Sequence, residues 1–167
     1  MTQLEDLAKP LPEKYVHSNP AGEGRGSYVN HAVITQRLLE LVGPFEQRVV
    51  EIVRGSYTVK GEVHEGIVGC VLSLSVFIDG RFVTVEEVGD CEQPSNWPHD
   101  GARLKDAISD ALKRCAMRLG LGLFLWSQKD GYFLHAHLIA KSGAASPPQE
   151  GGVNGSEGAA PSTKGDT

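Results

Sequence analysis

The chain has 167 residues, 40% of them apolar, and a net charge of −5 at neutral pH. This size and composition predict one globular domain with an appendage and leave little room for a second domain. No apolar run reaches the roughly 18 residues that cross a bilayer, and the first residues lack the basic-then-apolar order of a signal peptide. We therefore expect a soluble, cytoplasmic protein without a membrane partner.

The two ends of the chain differ in composition from its middle. Residues 1–26 contain several prolines and a glycine-rich run, which predict an extended segment with turns. Residues 141–167 consist mainly of Gly, Ser, Ala and Pro and are predicted to form a disordered tail, because they cannot bury enough surface to offset their backbone entropy. The folded domain is therefore predicted to span residues 27–140.

The domain begins with a helical pattern that is followed by strand patterns. Residues 30–41 predict a helix, which Gly43 and Pro44 should end. Residues 46–54 predict a strand. The polar residues 57–65 fit either a weak edge strand or a long loop.

A β-hairpin is the clearest local prediction. Residues 67–78 alternate between apolar and small or polar side chains, which predicts a strand with one buried face. The Asp-Gly pair at 79–80 predicts a two-residue type I′ turn, because both positions of that turn need positive φ. The resulting register pairs apolar residues on the buried face and places Phe77 beside Phe82 on the opposite, mixed face.

A second, longer helix is predicted to start at Asp100 as its N-cap and to end near Gly120. Its apolar side chains form a stripe about 100° wide that can dock on the sheet. The members of this stripe are Leu104, Ile108, Ala111, Leu112, Cys115 and Leu119. The elements together predict an α+β fold, with an antiparallel β-meander or hairpin sheet packed against a long C-terminal helix and with an N-terminal helix.

The long helix is basic although the protein is acidic. Residues 101–120 hold five basic and two acidic side chains, a local charge of +3. On a helical wheel Arg103, Arg114 and Arg118 flank the apolar stripe and Lys113 points away from the core, so all four are predicted to be exposed. Such a basic island indicates a localised anionic partner such as a nucleic-acid backbone, with a merely solvated helix face as the alternative.

The sequence of this helix resembles a known family. Residues 106–116, Asp-Ala-Ile-Ser-Asp-Ala-Leu-Lys-Arg-Cys-Ala, followed by Gly120 and Leu123, are similar to the end of the annealing domain in the Rad fifty-two family of recombination proteins. In that family a helix with a D-A-x-[ST]-D-A-L-K-R-A-like pattern follows a meander of antiparallel strands. The resemblance covers about residues 27–125, and the compact chain looks more like the short versions that bacteriophages carry than like the long eukaryotic proteins.

This resemblance implies a function and a set of site residues. It implies binding of single-stranded DNA with little sequence preference, and ATP-independent annealing of complementary strands in homologous recombination and double-strand break repair. Lys113 and Arg114 match the Lys-Arg pair that family members use on the DNA backbone, and Lys105 and Arg103 match a basic stretch one to two turns earlier. Arg118 is a candidate from the helical wheel alone.

The resemblance also implies partners. The expected assembly is a homo-oligomeric ring or arc with the DNA in a positively charged groove, and a host recombination or single-strand-binding protein is a further candidate partner. Trp97 and Trp126 fit either a seam between subunits or a base-stacking contact.

Other classes of function have weaker support in the sequence. Annealing makes and breaks no bond, so we expect no catalytic residues, and the chain has no GxxxxGK[ST] phosphate loop. A metal-dependent nuclease would need Glu86, Glu87 and other acids to converge, but the hairpin register places these two on opposite faces. His135 and His137, on a possible strand, lack a third local metal ligand. We therefore predict no cofactor and no metal site, and keep the nuclease and a protein-interaction module without nucleic acid as alternatives.

The three cysteines are odd in number and widely spaced, which excludes a disulfide framework and a CxxC metal motif. They are predicted to be buried as small apolar side chains.

Overall fold

The computed structural model describes residues 2–18, 26–126 and 134–144. The helices in these ranges are α1 (Gln3–Leu7), α2 (His31–Val42), α3 (Asp100–Arg118) and α4 (Leu134–Ala144), and the strands are β1 (Val16–Ser18), β2 (Ser27–Val29), β3 (Glu46–Val59), β4 (Glu62–Ile78) and β5 (Arg81–Asp90). Strands β3, β4 and β5 form an antiparallel meander, and β1 and β2 form a separate two-stranded sheet. The predicted α+β fold, with its meander, its long basic helix and an earlier helix, is confirmed.

The hairpin of β4 and β5 has the predicted register. Asp79 and Gly80 have φ angles of 48° and 83°, the two positive values that the turn requires. Phe77 faces Phe82 across the strands, with ring centroids 5.1 Å apart in an edge-to-face arrangement. The other face of β4 carries the buried apolar residues Cys70, Leu72, Leu74, Val76 and Ile78. One face of the hairpin therefore lies in the core, while the other leaves Phe77 and Phe82 exposed.

Residues 57–65 form the facing ends of two strands and the tight turn between them, not a long loop. Strand β3 continues to Val59, and a tight turn at Lys60 and Gly61 leads into β4 at Glu62. Both turn residues have positive φ, 50° and 89°. The meander therefore begins with a hairpin considerably longer than the sequence pattern predicts.

Helix α3 packs closely on strand β5. Ala107 and Ala111 are fully buried, and between them the helix backbone passes directly over Gly89. A Cβ atom at Gly89 would collide with the carbonyl oxygen of Ala107 and the amide nitrogen of Ala111, so only glycine permits this approach.

The stripe that faces the sheet differs slightly from the predicted one. Leu112, Cys115 and Leu119 are buried as predicted, whereas Leu104 and Ile108 are partly buried at its edge. The N-cap of α3 is His99, whose Nδ1 accepts a hydrogen bond from the Ala102 amide at 3.1 Å, rather than Asp100. The buried face of α3 is therefore centred closer to Ala107 and Ala111, the small residues that contact β5, than the predicted stripe is.

The prediction that residues 1–26 form only extended chain and turns is wrong for Gln3–Leu7, which form helix α1. Thr2 and Glu5 form a reciprocal capping box at the start of α1, and Leu7 at its end is fully buried. Gln3 forms two hydrogen bonds with Asp79 at the hairpin turn. The backbone amide of Gln3 donates to Asp79 Oδ1 at 3.0 Å, and the side-chain Oε1 of Gln3 accepts from the backbone amide of Asp79 at 2.7 Å. Helix α1 is therefore part of the core domain.

Helix α4 also departs from the sequence prediction. His135 and His137 lie in this helix, not on a strand, and the helix continues to Ala144, past residue 140, where the domain was predicted to end. The rest of the predicted tail, residues 145–167, lies outside the described residues. In the described ranges, none of the helices combines the length and apolarity that crossing a membrane requires.

Candidate nucleic-acid interface

Four of the five predicted DNA-binding side chains lie at the surface of α3. Lys105 is exposed, and 61% of the Arg118 side chain is accessible to solvent. Lys113 and Arg114 are each 35% accessible. These four side chains define what we call the basic edge of α3.

Arg103 is not exposed, and the prediction that places it with the others is wrong. Only 7% of this residue is accessible. Its guanidinium donates to the carbonyl oxygens of Trp97 at 2.7 Å and Pro94 at 3.2 Å, pairs with Asp100 at 3.2 Å, and lies 4.9 Å from the ring centre of Tyr57. The loop before α3 folds over this side chain, so its hydrogen bonds hold that loop and are not available to a phosphate.

Asp110 is the centre of the basic edge. Its Oδ2 accepts from Arg114 Nε at 2.7 Å and from the backbone amide of Asp90 at 3.3 Å. Its Oδ1 lies 3.9 Å from Lys113 Nζ. The hydrogen bond to Asp110 raises the pKa of Arg114, and the negative charges of Asp110, Asp90 and Glu87 act in the same direction. The two cations of the Lys-Arg pair are therefore partly neutralised by one carboxylate.

Arg118 has an acidic partner on the sheet. Its guanidinium forms an ion pair with Glu87 of β5, whose side chain is 18% accessible. Glu86 lies on the opposite face of the sheet, and in the strand register its position is across from Ser73. The acids proposed for a nuclease thus diverge, and in the described part of the chain no three His, Cys, Asp or Glu side chains are grouped to hold a metal ion.

Lys105 is the cation of the basic edge without a paired acid among the described residues. Its side chain is exposed, and the hydrogen bond of this residue to Ser109 Oγ, at 2.9 Å, is made by the backbone carbonyl. At 100° per residue Lys105 lies about 80° from Lys113 and about 180° from Arg114 around the helix axis, so the exposed cations extend around the outer surface of α3 from one flank to the other.

Trp126 adds an aromatic ring to the basic edge. After α3 the chain reverses through Gly120 and Gly122, with φ angles of 95° and 76°, and Leu121 is buried between them. This turn returns Trp126 to the helix, where the guanidinium of Arg114 lies 5.9 Å from the centre of its ring. Sequence analysis missed the contact, although two glycines just after a helix signal a chain reversal.

All three cysteines are buried, as predicted. Burial raises the pKa of Cys91 and of Cys115 to about 11, and nearby carboxylates add to the effect. Burial also raises the pKa of Cys70. These thiols are therefore neutral at physiological pH and belong to the core.

The structure has the order of elements that the resemblance implies, a β-meander followed by a helix with the Lys-Arg pair at its surface. A family model described as "Rad52/22 family double-strand break repair protein" matches residues 1–132, from α1 to beyond the turn after α3. The chain belongs to this family, which places it in double-strand break repair and recombination; proteins of this family are annealing proteins and not classical enzymes. No curated protein matches the chain.

Proposed function

We propose that this protein binds single-stranded DNA along the basic edge of α3 and anneals complementary strands without ATP. The observation that carries the proposal is the Lys113–Arg114 pair, held at the surface of a helix that is basic within an acidic protein. Its family membership supplies the biological setting, recombination and double-strand break repair.

Phosphate contacts account for the lack of sequence preference. Lysine and arginine side chains bind the backbone of any strand, and the bases remain available for pairing with a complementary strand. Because Asp110 and Glu87 already pair with three of these cations, each incoming phosphate replaces or shares a carboxylate partner. Annealing then needs alignment of two strands and no bond chemistry.

Assembly of several copies would extend this surface. A single α3 offers four cations, few for a strand long enough to anneal, whereas a homo-oligomeric ring or arc repeats the basic edge along one strand. We propose such an assembly in the cytoplasm of a host cell, with a host recombination or single-strand-binding protein as a further partner. Light scattering at micromolar concentration should give several chain masses, and a strict monomer would contradict the assembly.

A strand-annealing assay with two labelled complementary oligonucleotides tests the function. Lys113→Ala/Arg114→Ala should slow annealing and weaken binding of single-stranded DNA by roughly 2- to 30-fold, since the variant loses two partly exposed ion pairs with DNA phosphates. The slope of log affinity against log salt should fall by about 1.4, because each phosphate contact on a single strand contributes about 0.7.

Arg48→Ala/Lys60→Asn is the matched control. It removes two positive charges from β3 and its turn, away from α3, and asparagine tolerates the positive φ at residue 60. Equal annealing by the wild type and the Lys113/Arg114 variant would refute the site. Absence of annealing and of DNA binding in the wild type would refute the function.

A further inference from the structure

An exposed tryptophan beside a cation is the feature of the basic edge that phosphate binding does not use. Trp126 leaves 63% of its surface in solvent, although a large indole ring gains most from burial. The chain has only one other tryptophan, Trp97. Proteins that bind single strands combine a cationic track with aromatic rings on which bases stack.

Hydrogen bonds hold the Arg114 guanidinium and the backbone of Trp126 in place. Asp110 fixes the Nε side of Arg114 at 2.7 Å, and in the described part of the chain it is the acceptor of that guanidinium's hydrogen bonds. The backbone amide of Trp126 donates to the carbonyl of Leu123 at 3.1 Å, in the short 3-10 turn that follows Gly122. The guanidinium and the ring are thus neighbours at the surface, where a phosphate can share Arg114 with Asp110.

We propose that Trp126 and Arg114 form a single nucleotide site, in which the indole stacks on a base of single-stranded DNA and the guanidinium binds a neighbouring phosphate. The guanidinium carbon lies 5.9 Å from the ring centre, so the two groups are close enough to contact one base and a phosphate next to it. The inference rests on the proposed function and adds to it a contact that only an unpaired base can make, since a base inside a duplex has both faces covered.

Two probes of equal length separate the stacking contact from the phosphate contacts. One is an oligo-dT, and the other is an oligonucleotide of abasic spacers with the same phosphates and no bases. Wild type should bind oligo-dT more tightly than the abasic probe. Trp126→Ala should weaken oligo-dT binding by roughly 5- to 100-fold, the range for loss of a base–aromatic stack, and leave binding of the abasic probe unchanged.

Trp97→Ala is the matched control, because it removes the same ring from the loop before α3. Its effect on either probe should be below about twofold, since the carbonyl that Arg103 binds is part of the backbone and is retained. Trp126→Phe keeps an aromatic face and should recover much of the lost oligo-dT affinity.

Tryptophan fluorescence gives a second, independent measurement. Trp97→Phe leaves Trp126 as the sole tryptophan, and its emission should be quenched when oligo-dT is added but not when the abasic probe is added. Trp126→Phe leaves Trp97 alone and should show no such quenching.

The outcomes distinguish this inference from the proposed function. If wild type binds neither probe, the proposed function fails. If wild type binds oligo-dT and Trp126→Ala binds it equally well, with no quenching of Trp126, the nucleotide site is refuted while the DNA-binding function stands. A change in the molar mass of Trp126→Ala by light scattering would also refute the site, since the ring would then belong to a subunit interface.

Discussion

Asp110 should restrain DNA binding at the basic edge, and its neutralisation should strengthen binding. The carboxylate lies 2.7 Å from Arg114 Nε and 3.9 Å from Lys113 Nζ, and it competes with phosphate for both cations. Asp110→Asn removes the charge and keeps an oxygen that can accept from the Asp90 amide. The substitution therefore tests the charge with little change to the packing of α3.

The expected size follows from the exposure of these side chains. All three are about one-third accessible, so each ion pair contributes about 0.2 to 1 kcal/mol, the range for solvent-exposed pairs. Releasing two such pairs should tighten binding of oligo-dT by about 2- to 30-fold at low salt. The gain should shrink toward unity near 1 M salt, where the Debye length falls to about 3 Å.

Fluorescence anisotropy of a labelled oligo-dT, titrated at several salt concentrations, measures this effect. Glu46→Gln is the control, because it also removes one negative charge but does so on the exposed strand β3, away from the helix. Equal or weaker binding by Asp110→Asn at low salt would refute competition by the carboxylate, and an equal gain in Glu46→Gln would show that net charge alone is responsible.

Three further predictions concern the fold. Arg103→Ala should lower the free energy of unfolding by about 1 to 3 kcal/mol in urea titrations, because it removes the donor of two partly buried carbonyl oxygens and one of the partners of Asp100; a loss below about 0.5 kcal/mol would contradict this role. Gly89→Ala should cost about 2 to 3 kcal/mol through its collision with the α3 backbone, whereas Gly143→Ala, with open space around it, should not destabilise the protein. Cys91 and Cys115 should react with a thiol reagent at pH 8 about 100-fold more slowly in the native than in the unfolded state, and rapid native labelling would contradict their burial. Since burial raises these pKa values from 9.0 to about 11, the stability they contribute is complete below pH 9 and is lost as the pH rises toward 11.

Local patterns were sufficient to predict the meander and the long helix. Alternation along β4, the Asp-Gly turn and the apolar stripe of α3 each act over a few residues, and all favour the same arrangement. Helix α1 was missed because its five residues are too short to be stable alone. Its capping box and the burial of Leu7 depend on the remainder of the domain.

The site was predicted less completely than the fold. A helical wheel gives the direction of Arg103, but not the loop that covers it. Asp110 and Arg114 are four residues apart on a helix, a spacing from which their ion pair could have been predicted. The contact of Trp126 with Arg114 is different, because it depends on how the chain turns after α3.

A charge count along a helix overstates the attraction that a polyanion meets. Of the five basic residues of α3, Arg103 is buried, Lys113 and Arg114 share one carboxylate, and Arg118 has its own. Binding of phosphate by these paired cations exchanges one anion for another, so each contact gains little free energy. In the function that we propose, affinity must then come from repetition of the basic edge along the strand and from contacts to the bases. Contacts to the bases favour single strands over a duplex. The phosphates of a duplex can also replace the carboxylates, but its stacked bases do not offer these additional contacts.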